Sequence, residues 1–443
     1  MDFQVEVDGM PVTNGTKKPW ECAYNPVGKS GGFLFRDKAG IWRRRDTTLT
    51  RLMLKANGLN GAVKKGEDIS EVDQAIKWII QNNEVDFAMP LAGYRAGLVT
   101  FNERRVLVTR ERQMLKADHR PWPTLKKFLT ELLGEDALEH HMGWWQWARK
   151  SIRGDQVLPG QAMVYVGKSG VGKSWLQKQT TKLLGGDMPG KPFNYMTGKT
   201  TFNSDLFLAT HLMIEDEFAN MDMRGRREFG ARLKELVVNE TVPCHAKGVD
   251  AIMLKPKWRV SVSLNDEEEH LQVLPPLEPS ILDKLMLFMC NVPTFPYDLS
   301  TEEGWQQWDA VVEDELPGLA HAIDSFKIPT RLQNSRYGVK PYHAKAITHR
   351  EAEASIEEKL MHIIDHDLPM VTSEPYWEGR SLDLERELSA GHMPSCLQTR
   401  KLFQWNGACG TYLGRLAKKY PTRITKRCVR GTNQFRITLP KKT

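Results

Sequence analysis

The chain has 443 residues, of which 40% are apolar and 26% charged, with a net charge of +7. This composition excludes a disordered or fibrous protein and allows about three domains of ~150 residues each. The charge excess is small for the length and leans only weakly towards an acidic partner.

Residues 1–118 read as a mixed, strand-leaning region. Residues 31–45 predict two short strands around a turn at Asp37 to Gly40, and residues 97–110 a second hairpin turning near Asn102 and Glu103. Between them, 47–56 and 71–81 have helical periodicity. Val27-Gly28-Lys29-Ser30 imitates the end of a phosphate loop but lacks the first glycine. Arg43, Arg44 and Arg45 beside Trp42 suit either a nucleic-acid contact or a solvated hairpin end. No paired-carboxylate motif for two metals stands here.

A helical block follows, 124–152, and is expected to brace what comes next. Its Trp144, Trp145 and Trp147 read as packing, and His140-His141 has no partner ligands at useful spacing.

Residues 162–174 carry the clearest chemistry. A strand, Ala162 to Val166, runs into Gly167-Lys168-Ser169-Gly170-Val171-Gly172-Lys173-Ser174, and a helix is expected from Trp175 to Leu184. This is the phosphate-binding loop pattern: glycines let backbone N–H groups face one concavity, and the helix dipole adds to the attraction. Lys173 would reach the β- and γ-phosphates of ATP, and the Ser174 hydroxyl a Mg²⁺ ion. Trp175 completes the expected nucleotide-binding set.

Next, Leu212 to Ile214 form a buried strand ending in Glu215, Asp216 and Glu217. Carboxylates at a strand end suit metal binding and activation of water. Asp216 is assigned to the metal and Glu217 to the water, with Glu215 and Asp216 as the shifted register. A basic helix, 223–238, carries Arg224, Arg226, Arg227 and Arg232. It leads to a hairpin over 242–257 with its tip at Ala246 to Val249, then to a strand, 258–264, ending at Asn265. At that position Asn265 would hold the γ-phosphate or the lytic water.

Phosphate loop, acidic strand end, basic helix, hairpin with a basic tip and a strand ending in Asn together resemble a superfamily-three helicase of the AAA+ class. The flanking sequence is most similar to the helicase part of phage, plasmid and poxvirus-type primase-helicases, over roughly residues 125–300. The resemblance implies a homo-hexameric ring with ATP between subunits and single-stranded or forked DNA in a channel. It also implies His245 and Lys247 at the channel hairpin, and a separate primase or polymerase as a further partner. Family members commonly carry arginines soon after the sensor strand that act on the neighbouring subunit. Here that place holds Ser280-Ile281-Leu282-Asp283-Lys284. Lys284, or an arginine of the 224–232 helix, is left to serve.

Beyond Pro293 the chain becomes helical, with several helices expected over 352–419 and a basic one at 411–420. A hairpin at 424–439 turns at Gly431-Thr432-Asn433. Helices followed by a basic hairpin resemble a winged helix, with Arg423, Lys426, Arg427 and Arg430 facing phosphates. His362 and His366, one turn apart, read as surface residues. Six cysteines (22, 244, 290, 396, 409 and 428) include no C-x-x-C pair, so reduced thiols are expected. No leader and no run of about 18 apolar residues is found, so a cytoplasmic protein without a membrane partner is expected, in a bacterial host if phage-encoded.

The expected fold is α/β: a mixed domain (1–118), a helical brace (119–155), a P-loop ATPase core (156–300) and a helical, winged-helix-like region (301–443). The expected function is an ATP-dependent replicative DNA helicase. A DNA-binding initiator or loader that does not unwind, and an RNA helicase, stand as alternatives.

Overall fold

Short strands open the chain. β1 (Cys22–Asn25), β2 (Gly32–Arg36) and β3 (Trp42–Arg45) form an antiparallel sheet, and Asp37 closes its β2–β3 turn by accepting the N–H groups of Ala39 and Ile41. The computed structural model describes residues 21–26, 32–111, 114–154, 156–186, 188–215, 223–248, 250–267, 274, 277, 279–348, 356–429 and 431–439, with 223–227 and 279 as backbone alone. Helices α1 (Thr47–Ala56) and α2 (Glu71–Asn82) start where Asp46 and Ser70 cap the N–H groups of Leu49 and Asp73. A second sheet joins β4 (Phe87–Met89), β5 (Gly97–Phe101) and β6 (Arg104–Val108), and its β5–β6 turn puts Asn102 and Glu103 at φ 46° and 67°. Alternation along β2 separates two small cores. Phe33 and Phe35 pack with α1 and α2, while Leu34 packs with Val85 and Leu107.

Two helices, α3 (Pro123–Leu133) and α4 (Glu135–Arg153), precede the central sheet. All three indole N–H groups of α4 are satisfied: Trp144 by Gln161 O, Trp145 by Thr180 Oγ1 and Trp147 by Pro159 O. The tryptophans are therefore packing residues.

The central sheet contains β7 (Ala162–Val166), β8 (His211–Ile214), β11 (Arg259–Leu264) and β12 (Leu285–Met289), all parallel in the order β12-β7-β11-β8. Between them run α5 (Lys173–Leu184), α6 (Phe193–Met196), α7 (Met223–Val238) and the small antiparallel pair β9 (Val242–Cys244) and β10 (Ile252–Leu254). Every residue of β7, β8 and β11 is buried, as expected of a parallel sheet covered on both faces. Met163, Tyr165, Met286 and Phe288 face a cluster with α3, α4 and α8 (Glu302–Ser325).

The chain forms two compact units that divide at Ala344/Lys345. Helix α8 belongs with the first unit because Trp308 is buried in the same cluster as Phe128. Its Glu315, itself buried, also accepts the N–H groups of Thr124 (3.2 Å) and Leu125 (2.8 Å), filling the capping role that Trp122 cannot. The unit closes with the short pair β13 (Gln333–Asn334) and β14 (Gly338–Val339).

In the second unit, α9 (Ile356–Val371), α10 (Ser381–Leu388), α11 (Cys396–Leu402) and α12 (Ala408–Lys419) accompany a three-stranded antiparallel sheet. Its strands β15 (Tyr376–Arg380), β16 (Ile424–Val429) and β17 (Thr432–Thr438) lie in the order β15-β17-β16. Its core is separate, built on residues such as Leu360, Trp377, Leu413 and Phe435. Among the described residues, no helix is long and apolar enough to cross a membrane.

Two buried histidines make the first unit sensitive to acid. His141 stands against Tyr165, its Nε2 2.7 Å from the hydroxyl, and burial lowers its pKa to about 3. His211 bridges Thr181 and Ser261, and burial, then the charge of Lys191, lowers its pKa to about 3. Below an unfolded value of about 6.5, the unfolded chain binds protons that the folded one refuses, so stability falls with pH between ~6.5 and ~3. Between pH 7 and 5.5 the pair is expected to remove about 2.5 kcal/mol. Urea unfolding at both pH values checks this. His211→Gln should remove about half of the pH dependence, and an unchanged slope would rule the mechanism out.

Candidate nucleotide and nucleic-acid sites

The carboxyl ends of four parallel strands share one edge, and β7 delivers the glycine loop there. Gly167 is required by space: a Cβ on it would lie 2.6 Å from the Cys290 carbonyl oxygen. Gly170 and Gly172 have φ of 79° and 105°, a left-handed conformation that side chains disfavour. Gly172 caps α5, and its carbonyl accepts the N–H of Leu176. Val171 is buried, whereas Lys168, Ser169 and Gly170 are exposed and Ser174 is half-buried.

Lys173 folds back into this loop. Its Nζ donates to the carbonyls of Gly167 (2.6 Å) and Lys168 (2.8 Å) and to Asn265 Oδ1 (3.1 Å). Asn265 arrives because β11 lies beside β7 with Leu264 opposite Val166. Gln177 of α5 fixes the same neighbourhood by donating to Ile214 O and Ser261 Oγ. An ammonium at the centre of a loop of backbone dipoles, next to a side-chain amide, is built to meet an anion. Glycines at the points of closest approach leave room for phosphate, so these residues fit a nucleoside triphosphate.

Trp175 follows Ser174 on α5. Its ring packs edge-on to Phe128 at 4.8 Å and tilted to Trp308 at 5.4 Å. The side chain is half-buried at the first turn of α5.

Strand β8 ends at the same edge. Asp216 and Glu217 lie outside the described residues, as do the side chains of Arg224, Arg226 and Arg227. Glu215 is paired with Lys191. Arg232 is committed within its own chain, stacked on Tyr195 and bonded to Glu235 at 3.1 Å. Lys284 lies at the opposite edge of the sheet from the loop, directly before β12. Its Nζ donates to Ser280 O (2.7 Å) and Asp283 Oδ1 (2.6 Å), and its side chain is largely buried.

The hairpin forms as β9 and β10, with Lys247 and Gly248 (φ 75°) exposed at its tip. Among the described residues, no carboxylate pairs with Lys247. A loop missed by sequence reasoning supports it. Asn203 Oδ1 accepts the His245 N–H at 2.8 Å, and the half-exposed Phe202 ring lies 4.9 Å from the His245 ring. The only local signal was one phenylalanine within the polar run Lys199-Thr200-Thr201-Phe202-Asn203-Ser204.

In the second unit, Arg423 is held by Asp365 and Thr438 O. Arg427 is exposed on β16, and Arg430 lies outside the described residues. His366 bonds Asp367, and no metal-holding cluster occurs among the described residues.

A family model described as a family of unknown function (DUF5906) matches residues 165–275, the stretch from β7 to just beyond Asn265. No curated protein sequence matches the chain. Among solved structures, an apo form of the NrS-1 C-terminal region is similar over 95% of this chain and 97% of that one, with a TM-score of 0.53 at 13% identity. A second apo structure of that region gives 95%, 96% and 0.54, again at 13% identity. The chain shares their fold. A structure described as an active helicase, SCCmec type IV Cch, aligns over 91% of this chain and 74% of that one at 10% identity. Its TM-score of 0.33 is too low to establish a common fold.

Proposed function

We propose that the chain is an ATP-driven motor of the superfamily-three, AAA+ type that moves on single-stranded DNA and unwinds it. The observation that carries this reading is Lys173 held 3.1 Å from Asn265 above a glycine loop at the carboxyl edge of a parallel sheet. The Lys173 ammonium neutralises the β- and γ-phosphates of ATP, and Asn265 orients the γ-phosphate or the attacking water. Ser174 and Asp216 would hold Mg²⁺, which when bound offsets phosphate charge. Glu217 takes the proton of the water. The ion pair of Glu215 with Lys191 favours this register over the shifted one. Subunits assemble as a ring, a hexamer, in which Lys247, His245 and Phe202 of each copy grip the DNA backbone. The second unit acts as a winged-helix-like DNA-binding module, and a separate primase or polymerase completes the replication machinery.

Strand displacement on a forked DNA substrate tests this reading. Lys247→Ala and Phe202→Ala are each expected to retain ATP hydrolysis within about twofold in the absence of DNA. Both should lose DNA stimulation, and displacement should fall at least tenfold, the scale of one stacking or phosphate contact repeated around a ring. Normal unwinding by Lys247→Ala would remove the hairpin from the mechanism. ATP hydrolysis with DNA binding but no displacement by the wild type would instead identify an initiator or loader. Stimulation by RNA over DNA would identify an RNA helicase.

A further inference from the structure

The second unit contains a cleft of about 820 Å³ between α12 and the β16–β17 hairpin. On the helix side, Gly410 and Gly414 leave it unfilled, and its floor includes Ile424 and Phe435. Charge around it is distributed unevenly. From Cys396 to Leu439 the chain contains no Asp or Glu. Acids of α9 neutralise part of this basic stretch: Glu357 pairs with Arg415, which also lines the cleft, Glu358 with Lys419 and Asp365 with Arg423. Lys418 and Lys426, which line the cleft, are exposed and have no carboxylate partner among the described residues.

Strand register decides which hairpin cation serves the cleft. Lys426 lies opposite Phe435, and Ile424 opposite Ile437, so Lys426 stands on the face that carries the buried residues. Arg427, opposite Gln434, projects from the other face. The two cannot grip one strand together.

Two residues before the cleft-lining Gly407 stands Trp405, 48% exposed although it is among the largest apolar side chains. It packs edge-on against Tyr412 at 6.2 Å. A Cβ on the cleft-lining Gly407 would sit 3.8 Å from that ring. A half-exposed indole two residues from a cleft-lining glycine, with two lysines in that cleft free of carboxylate partners among the described residues, has the chemistry of a stacking platform on an electropositive track.

We propose that this cleft binds single-stranded nucleic acid, with Lys418 and Lys426 on its phosphates and Trp405 stacked on an unpaired base. The proposal rests on the DNA-motor reading for the nature of its polyanion, and it places strand capture in the second unit. A duplex is disfavoured because a paired base offers no free face to Trp405.

Binding of the full chain, without nucleotide, to a labelled oligo-dT, to a duplex of equal length and to polyglutamate tests it by fluorescence anisotropy. Trp405→Ala should weaken oligo-dT binding about tenfold and leave duplex binding unchanged, and Trp405→Phe should restore most of the loss. The Lys418→Ala/Lys426→Ala variant should reduce the slope of log affinity against log salt by about 1.4, at ~0.7 per phosphate contact on a single strand. Lys419→Ala, which removes a charge already paired with Glu358, should leave the slope unchanged. Thermal melting verifies that each variant is folded, and the exposed lysine pair remains informative if Trp405→Ala is not. Wild-type oligo-dT affinity and slope in both the Trp405 and lysine variants, with unwinding intact, would overturn the cleft and leave the motor standing. Losses of equal size on duplex or polyglutamate would overturn the single-strand assignment. A wild type that neither binds oligo-dT nor displaces a strand would bring down the motor reading as well.

Discussion

Lys173→Ala is expected to reduce ATP turnover at least a thousandfold. Loss of one preorganised donor to a developing charge costs a factor of about 10²–10³, and Lys173 supplies a full charge. The folded site adds a second loss. Lys173 Nζ also satisfies the Gly167 and Lys168 carbonyls and Asn265 Oδ1, so truncation releases the loop as well as the charge. Phosphate release and binding of a fluorescent nucleotide, measured on a preparation with an unchanged melting profile, check the result. Turnover within tenfold of wild type would show that the loop does not do the chemistry. The same variant tests assembly. Titrated into wild type, it should depress activity more than in proportion if the active site is completed by a neighbour. A strictly proportional decline points to self-contained subunits.

The largest expected loss of stability follows from Arg149→Ala. Arg149 on α4 is fully buried and forks Asp324 of α8, with Nε at 2.7 Å from one carboxylate oxygen and Nη2 at 3.0 Å from the other. It also donates to Leu183 O at the end of α5 and to Leu115 O at 3.2 Å. Four segments distant in sequence meet at one guanidinium. Removing one partner of such a buried pair costs about 3–5 kcal/mol, because buried acceptors are left without donors. The expected fall in melting temperature is on the order of 10 °C. Arg149→Lys should recover only part, since an ammonium cannot fork. A melting temperature within a degree of wild type would exclude this role. There is an acid dependence too. Burial pushes the Asp324 carboxyl up, but hydrogen bonds and charge from Arg149 and Arg153 outweigh it and hold it below its ordinary range. That contribution is present at neutral pH and is lost as the carboxylate protonates on acidification, so Arg149→Ala should be less sensitive to acid than wild type.

Local geometry was legible in the sequence. The phosphate loop is a contiguous pattern whose glycines, lysine and serine have spacings set by near-neighbour backbone dihedrals. The same holds for the Asn102–Glu103 turn, and the hairpin with Lys247 at its tip. Asn265 beside the loop was also legible, because parallel strands bring successive strand ends to one edge. The opposed faces of Lys426 and Arg427 could have been read from strand alternation alone.

Only the tertiary structure decided the rest, because the groups concerned lie far apart along the chain. Glu315 caps α3 across 190 residues to Leu125, which draws α8 into the first unit. Trp175 sits beside the nucleotide loop in sequence, and Phe128 and Trp308 pack against its ring. Asp283 is adjacent to Lys284, but only the fold shows that the pair closes at the edge away from the loop. Phe202 joins His245 through a loop with no pattern of its own. Near-neighbour dihedrals specify loops, turns and strand ends. Which charges are neutralised and which aromatic rings are packed depends on partners that only folding brings together.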